Sequence, residues 1–173
     1  MKKVVVFISD GTEEIEVVTP IDVLRRAGVE CDIVSVCETT VRGSHGIKII
    51  ADKLVCDINF DDYDGVVIPG GMPGATIISE NPYAINGIKK MIESGKIVGA
   101  ICASPAVVLG AHNLLGCHKA TCYPAPDFIQ IIQNNYTGED VEISENLVTA
   151  NGPRSALKFA LALCEKLNVT PKI

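Results

Sequence analysis

Ile97-Val98-Gly99-Ala100-Ile101-Cys102-Ala103-Ser104-Pro105-Ala106 carries an apolar strand straight into one thiol, after which a helix begins. A tight strand-to-helix turn pushes one side chain out at the carboxyl end of a sheet. There the N–H groups of the new helix favour an anion, and the thiolate is the anionic, reactive form of cysteine. The turn is similar to the nucleophile elbow of serine hydrolases, although Gly-x-Ser-x-Gly is absent.

Outward from this run, strands and helices alternate without a linker. Short, apolar, β-branched stretches predict strands over Lys3–Ile8, Cys31–Val36, Gly65–Ile68, Ile97–Ile101, Lys119–Cys122 and Leu147–Thr149. Such runs suit a parallel sheet covered on both faces. Gly43 and Gly46 mark a small hairpin off the main sheet between Val41 and Val55, and a second hairpin joins Val141–Ile143 to Leu147–Thr149. Helices are expected over about Glu13–Ala27, Pro82–Ser94, Pro105–Leu109, Ala125–Gln133 and Ser155–Leu167. Pro20 should kink or restart the first of them, with Thr19 placed to cap. The pattern predicts one doubly wound α/β domain over residues 1–173, whose ligands bind at the carboxyl ends of the strands.

Three segments meet there: Asp10-Gly11-Thr12-Glu13-Glu14-Ile15-Glu16, Pro69-Gly70-Gly71-Met72-Pro73-Gly74, and Cys102-Ala103-Ser104. N–H groups of Gly70 or Gly71, together with Ala103, are candidates to hold an oxyanion beside the thiol. Glu13 and Glu14 fit the ordinary preference of acids for a first helical turn. Glu16, one turn in beside Ile15, Val17 and Val18, is expected to be partly buried with a raised pKa. If protonated, it would donate a hydrogen bond to the sulfur and lower the pKa of Cys102; the two groups would titrate as a pair.

Composition narrows the function classes. The net charge is −6 and aromatics make up 5%, with no tryptophan. There is no basic stripe for nucleic acid and no Lys/Arg cluster for an anionic membrane. No stretch approaches the roughly 20 apolar residues of a membrane helix. The run Val4–Ile8 is read as a buried first strand rather than a signal peptide, which leads to the expectation of a cytoplasmic protein. The seven cysteines form no Cys-x-x-Cys pair, against a disulfide framework or structural zinc. His45, His112 and His118 share no ligand spacing, so no metal is expected.

At these residues the chain resembles the ThiJ/PfpI superfamily, and within it the DJ-one branch. The resemblance rests on Asp10–Glu16, Pro20–Gly28, Val67-Ile68-Pro69-Gly70-Gly71, Ala100-Ile101-Cys102-Ala103 and Asn151-Gly152-Pro153, in this order. It implies a flavodoxin-like, doubly wound, mostly parallel sheet with helices on both faces, and a homodimer in which Arg25, Arg26 and the Val17–Leu24 helix take part. It also implies that Cys102 is the nucleophile and Glu16 its protonated partner, with Gly70, Gly71 and Ala103 as backbone donors.

The implied activity is cofactor-free conversion of methylglyoxal-type 2-oxoaldehydes, or of their early adducts. The alternative is an oxidative-stress sensor or chaperone working through Cys102 sulfinic acid. Thiamine biosynthesis and peptidase action are weaker readings. The chain departs from the family pattern at three auxiliary positions. Tyr123 stands where relatives often carry a histidine, Arg154 where many have the second glycine of Gly-Pro-Gly, and His45 where many carry an arginine. Ala103, where protease-like relatives have histidine, counts against a peptidase.

Overall fold

The computed structural model describes residues 1–173. Its main sheet has seven strands: β1 (Lys3–Ile8), β2 (Glu30–Ser35), β5 (Lys53–Leu54), β6 (Gly65–Ile68), β7 (Ile97–Ile101), β8 (Val141–Ser144) and β9 (Leu147–Ala150). They lie in the order β5-β2-β1-β6-β7-β9-β8. All neighbours are parallel except β8, which returns antiparallel beside β9 at one edge. The apolar runs of β1, β6 and β7 are buried almost throughout because both faces of the sheet are covered. The fold is therefore the doubly wound α/β architecture that the alternation predicts, of the flavodoxin-like kind that the resemblance implies.

One face is covered by α1 (Glu14–Arg26) and α5 (Ala156–Leu167). Val17, Leu24, Phe159 and Leu163 pack there against Val4, Val6 and Ile101. The other face carries α2 (Gly74–Glu80), α3 (Pro82–Glu93), a wide π-helical turn over Pro105–Gly110, and α4 (Pro126–Ile131). Ile78, Ile88, Met91 and Leu109 fill that layer over Phe7, Val66 and Val98. A separate hairpin, β3 (Thr40–Arg42) with β4 (Lys48–Ile50), stands off the sheet as expected.

Several expectations are corrected. Lys119–Cys122 is not a strand; only Ala120 makes an isolated bridge, to Tyr136, because no sheet strand lies alongside it. Pro20 does not restart α1, which runs unbroken through it. The cap is Glu13, whose carboxylate accepts from Ile15 N–H at 3.3 Å, so Thr19 has no capping role. The short helix α2 and the edge strand β5 were not anticipated. Both are too brief to show a period in the sequence.

Val17 and Leu24 are fully buried against the chain's own sheet, and Ile21 nearly so, so none of them is presented to a second copy. Arg25 and Arg26 are engaged within the chain, Arg25 with Cys31 O at 2.7 Å and Arg26 with Asp22 at 3.0 Å. The exposed apolar residues of α1 are instead Ile15 and Val18. No helix is long and apolar enough to cross a membrane.

Candidate active site

Three strand ends build the site. Cys102 follows β7 directly, and its backbone is pinned from two sides. Its N–H donates to Ala150 O at 2.9 Å, and its carbonyl accepts from Tyr123 N–H at 2.8 Å. Its φ of 64° is uncommon for a residue with a Cβ, and it turns the half-buried side chain out of the strand direction at the sharp corner. Such strain clusters at functional positions, which fits the elbow read from the sequence.

Glu16 comes from α1 and is completely buried. Its Oε1 accepts from Gly70 N–H at 3.2 Å, while Oε2 has no hydrogen-bond partner. The loop after β6 needs glycine at 70 for space: a Cβ there would stand 2.6 Å from Cys102 Cβ and 2.8 Å from Glu16 Oε1. Gly71 is needed for conformation as well, with a φ of +86°. The two glycines therefore divide the work. Gly70 N–H serves the carboxyl, whereas the N–H groups of Gly71 and Ala103 serve the Cys102 sulfur.

Burial pushes the Glu16 carboxyl up to about 8, with the nearby charge of Glu13 adding to the effect; the Gly70 N–H and the Cys102 thiol oppose it. The carboxyl therefore keeps its proton at neutral pH, as the sequence led us to expect. The expectation for the thiol is reversed. Burial above all, with negative charge on Glu16 adding to it and the Gly71 and Ala103 amides opposing it, pushes Cys102 up to about 12. Amides and a neutral carboxyl favour the thiolate, but the burial of the sulfur outweighs them. A proton on Glu16 cancels the carboxylate's repulsion and leaves burial opposed by the two amides. The acidity of this thiol thus depends on the state of one neighbouring proton.

The remaining candidates lie around this pair. Tyr123 is exposed beside Cys102, its ring edge 3.4 Å from where a Gly152 Cβ would stand. Arg154 is exposed and lines a cleft next to Tyr123. His45 lies in the β3–β4 turn, where its N–H donates to Glu14 Oε1 at 2.8 Å and its Nδ1 lies 3.2 Å from Glu14 Oε2. The ligand atoms of Glu13, Glu14 and His45 lie within 4.8 Å of one another, the one such grouping in the chain. The Glu14 carboxylate is already used by the His45 and Ile47 N–H groups and by Ser44, so the grouping ties the hairpin to α1. Sequence reasoning gave Ser104 no role. It is buried, and its hydroxyl donates to Pro69 O, locking the elbow to the glycine loop.

Known proteins share this architecture. Residues 2–166 match the model of the DJ-1/PfpI family. The chain is 39% identical over 165 residues to Protein DJ-1 homolog B of Arabidopsis thaliana, covering 95% of this chain and 37% of that protein. It is 34% identical over 159 residues to the glutathione-independent glyoxalase DJR-1.2 of Caenorhabditis elegans, covering 91% of this chain and 84% of that one. The chain thus spans well under half of the plant relative's length but most of the nematode one. Among solved structures, oxidized Toxoplasma gondii DJ-1 superposes with a TM-score of 0.92 at 42% identity, over 96% of this chain and 91% of that one.

Proposed function

The chain belongs to the DJ-1/PfpI family, and from that premise we propose that it is a cofactor-free, cysteine-dependent glyoxalase or deglycase acting on small 2-oxoaldehydes or their early adducts. The observation that carries this reading is the buried Glu16 carboxyl, raised to about 8, sharing the Gly70–Gly71 corner with Cys102. A group whose pKa lies near the working pH takes and returns protons efficiently.

In this reading the Cys102 sulfur adds to the aldehyde carbon and its proton passes to the carbonyl oxygen, giving a hemithioacetal. The Gly71 and Ala103 N–H groups steady the oxygen while it bears charge. With its pKa at about 8, the ionised fraction of Glu16 removes the hydrogen from the former aldehyde carbon and returns that proton to the neighbouring carbon. A thioester results, and water hydrolyses it to the 2-hydroxy acid and the free thiol. No oxidant or external reductant is consumed. A glyoxalase relative at 34% identity supports the choice of substrate class. The test is lactate formation from methylglyoxal in the absence of glutathione, and activity that survives Cys102→Ser would exclude the mechanism.

A second reading is favoured by one feature. Glu16 Oε2 is buried without a partner, beside a thiol flanked by two amide donors. A sulfinate formed on Cys102 would accept from those amides and from the carboxyl proton, so peroxide sensing through Cys102 uses the same pocket. Mass spectrometry after mild peroxide treatment decides it: Cys102 must oxidise faster than the buried Cys31 and Cys164.

We also propose that two copies pair through the face carrying Ile15, Val18, Leu157 and Leu161. All four are exposed, and Val18 and Leu157 line one groove.

A further inference from the structure

The geometry points to Arg154 as the anchor for a carboxylate on the substrate, so that the preferred substrate is a 2-oxoaldehyde bearing a carboxylate at its far end. This deepens the glyoxalase reading and rests on it.

A cleft of about 720 Å³ opens beside the elbow, and Tyr123, Asp140, Asn151, Gly152, Arg154 and Lys158 are among its lining residues. Its walls are attached to the nucleophile's own backbone. Tyr123 N–H donates to Cys102 O at 2.8 Å, and Ala150, one residue before Asn151, accepts from Cys102 N–H at 2.9 Å. A ligand in this cleft therefore lies along the chain segments that hold Cys102.

The charges there do not cancel. Lys158 lies 3.5 Å from Asp140, and Asn151 donates to the same carboxylate at 3.1 Å. Arg154 has neither an ion pair nor a side-chain hydrogen bond. One uncompensated guanidinium in a chain of net charge −6 is a local reversal of sign, placed in a cleft whose wall is hydrogen-bonded to the Cys102 backbone. A planar guanidinium matches a carboxylate with two parallel hydrogen bonds. One free cation, with Asp140 close by, suits a single negative charge better than a phosphate dianion. The rest of the cleft presents the exposed Tyr123 side chain to a short polar chain, while the Asn151 amide is held by Asp140 and Ser155.

The overall conversion is unchanged: the aldehyde carbon becomes a carboxylate, the ketone carbon gains hydrogen, and water supplies the oxygen. The product is a 2-hydroxy dicarboxylate.

The experiment compares kcat/KM for 4,5-dioxopentanoate with that for 2-oxopentanal, which has the same chain length and a methyl group in place of the carboxylate. We expect the wild-type protein to prefer the anionic substrate. Arg154→Gln should lower that ratio about five- to tenfold, the size expected of a charge-assisted contact open to solvent. Arg154→Lys should keep part of it. A ratio unmoved by Arg154→Gln overturns the proposal.

A second measurement does not need turnover: glutarate should slow iodoacetamide labelling of Cys102 in the wild-type protein and lose that effect in Arg154→Gln. If neither aldehyde is turned over but glutarate still protects through Arg154, the anion subsite stands and the catalytic reading fails. If glutarate protects neither protein and no substrate preference depends on Arg154, the subsite itself is refuted. Inorganic phosphate at equal ionic strength serves as the competing anion, and protection by phosphate stronger than by glutarate also overturns the choice of a carboxylate.

Discussion

Gly70 donates its N–H to Glu16 Oε1 at 3.2 Å, while the other oxygen of this buried carboxyl, Oε2, has no hydrogen-bond partner. The glycine also leaves empty the space where a Cβ would press on both Glu16 and Cys102. The carboxyl and the thiol thus share a corner that one added methyl group would fill.

Gly70→Ala should therefore damage the site more than the fold. Overpacking of this kind typically costs about 1–3 kcal/mol. Urea unfolding should show a loss in that range, while methylglyoxal turnover falls at least about tenfold as the two reacting groups are forced apart. Unchanged turnover would show that their spacing is irrelevant.

The raised pKa of Glu16 has a defined signature in stability. Folded, the carboxyl titrates at about 8, against an ordinary value of 4.5. A raised folded pKa means that the stabilisation is complete below about 4.5 and is lost as pH rises through about 8. Relative to Glu16→Gln, which cannot ionise, the wild-type protein should become steadily less stable between pH 5 and pH 8.5, the interval over which the unfolded chain has released this proton and the folded one has not. Urea midpoints of the two proteins at both pH values check the sign. Parallel loss in both would mean that the carboxyl is already ionised in the fold.

The same proton controls the thiol. An ionised Glu16 pushes Cys102 up, so the Gln variant should be alkylated faster than wild type above about pH 8 and at a similar rate near pH 6. Iodoacetamide rates followed across that range test this. A uniform offset at every pH would indicate altered access instead of altered charge.

Pairing of two copies predicts that a charge placed on the α1–α5 face weakens association. Val18→Glu should shift sedimentation from dimer toward monomer, since burying an unpaired carboxylate in an interface is costly. Lys90→Ala, on α3 across the sheet and bonded to Asp61 within the chain, should leave the dimer intact. A wild-type protein that sediments only as monomer removes the proposal.

The architecture was legible in the sequence because it rests on local patterns, and the candidate pair Cys102 and Glu16 because local patterns combine there with the family resemblance. Continuous apolar runs such as Val4–Ile8 and Gly65–Ile68 can only be strands buried on both faces, and their alternation with helical stripes dictates a parallel sheet. Cys102 at the end of such a run, and Glu16 among aliphatic neighbours, announce themselves the same way. Properties that depend on distant parts of the chain did not show. Lys119–Cys122 has strand composition but no strand beside it, and Pro20 fits an unbroken helix because its surroundings tolerate the missing hydrogen bond.

The division of amides between Gly70, which serves the carboxyl, and Gly71, which serves the sulfur, is a matter of loop geometry. So is the upward push on Cys102, because burial is a sum over neighbours brought together from the whole chain. Residue order settles which groups arrive at the carboxyl end of the sheet. Packing alone determines how much water they keep, and with it where their protons reside.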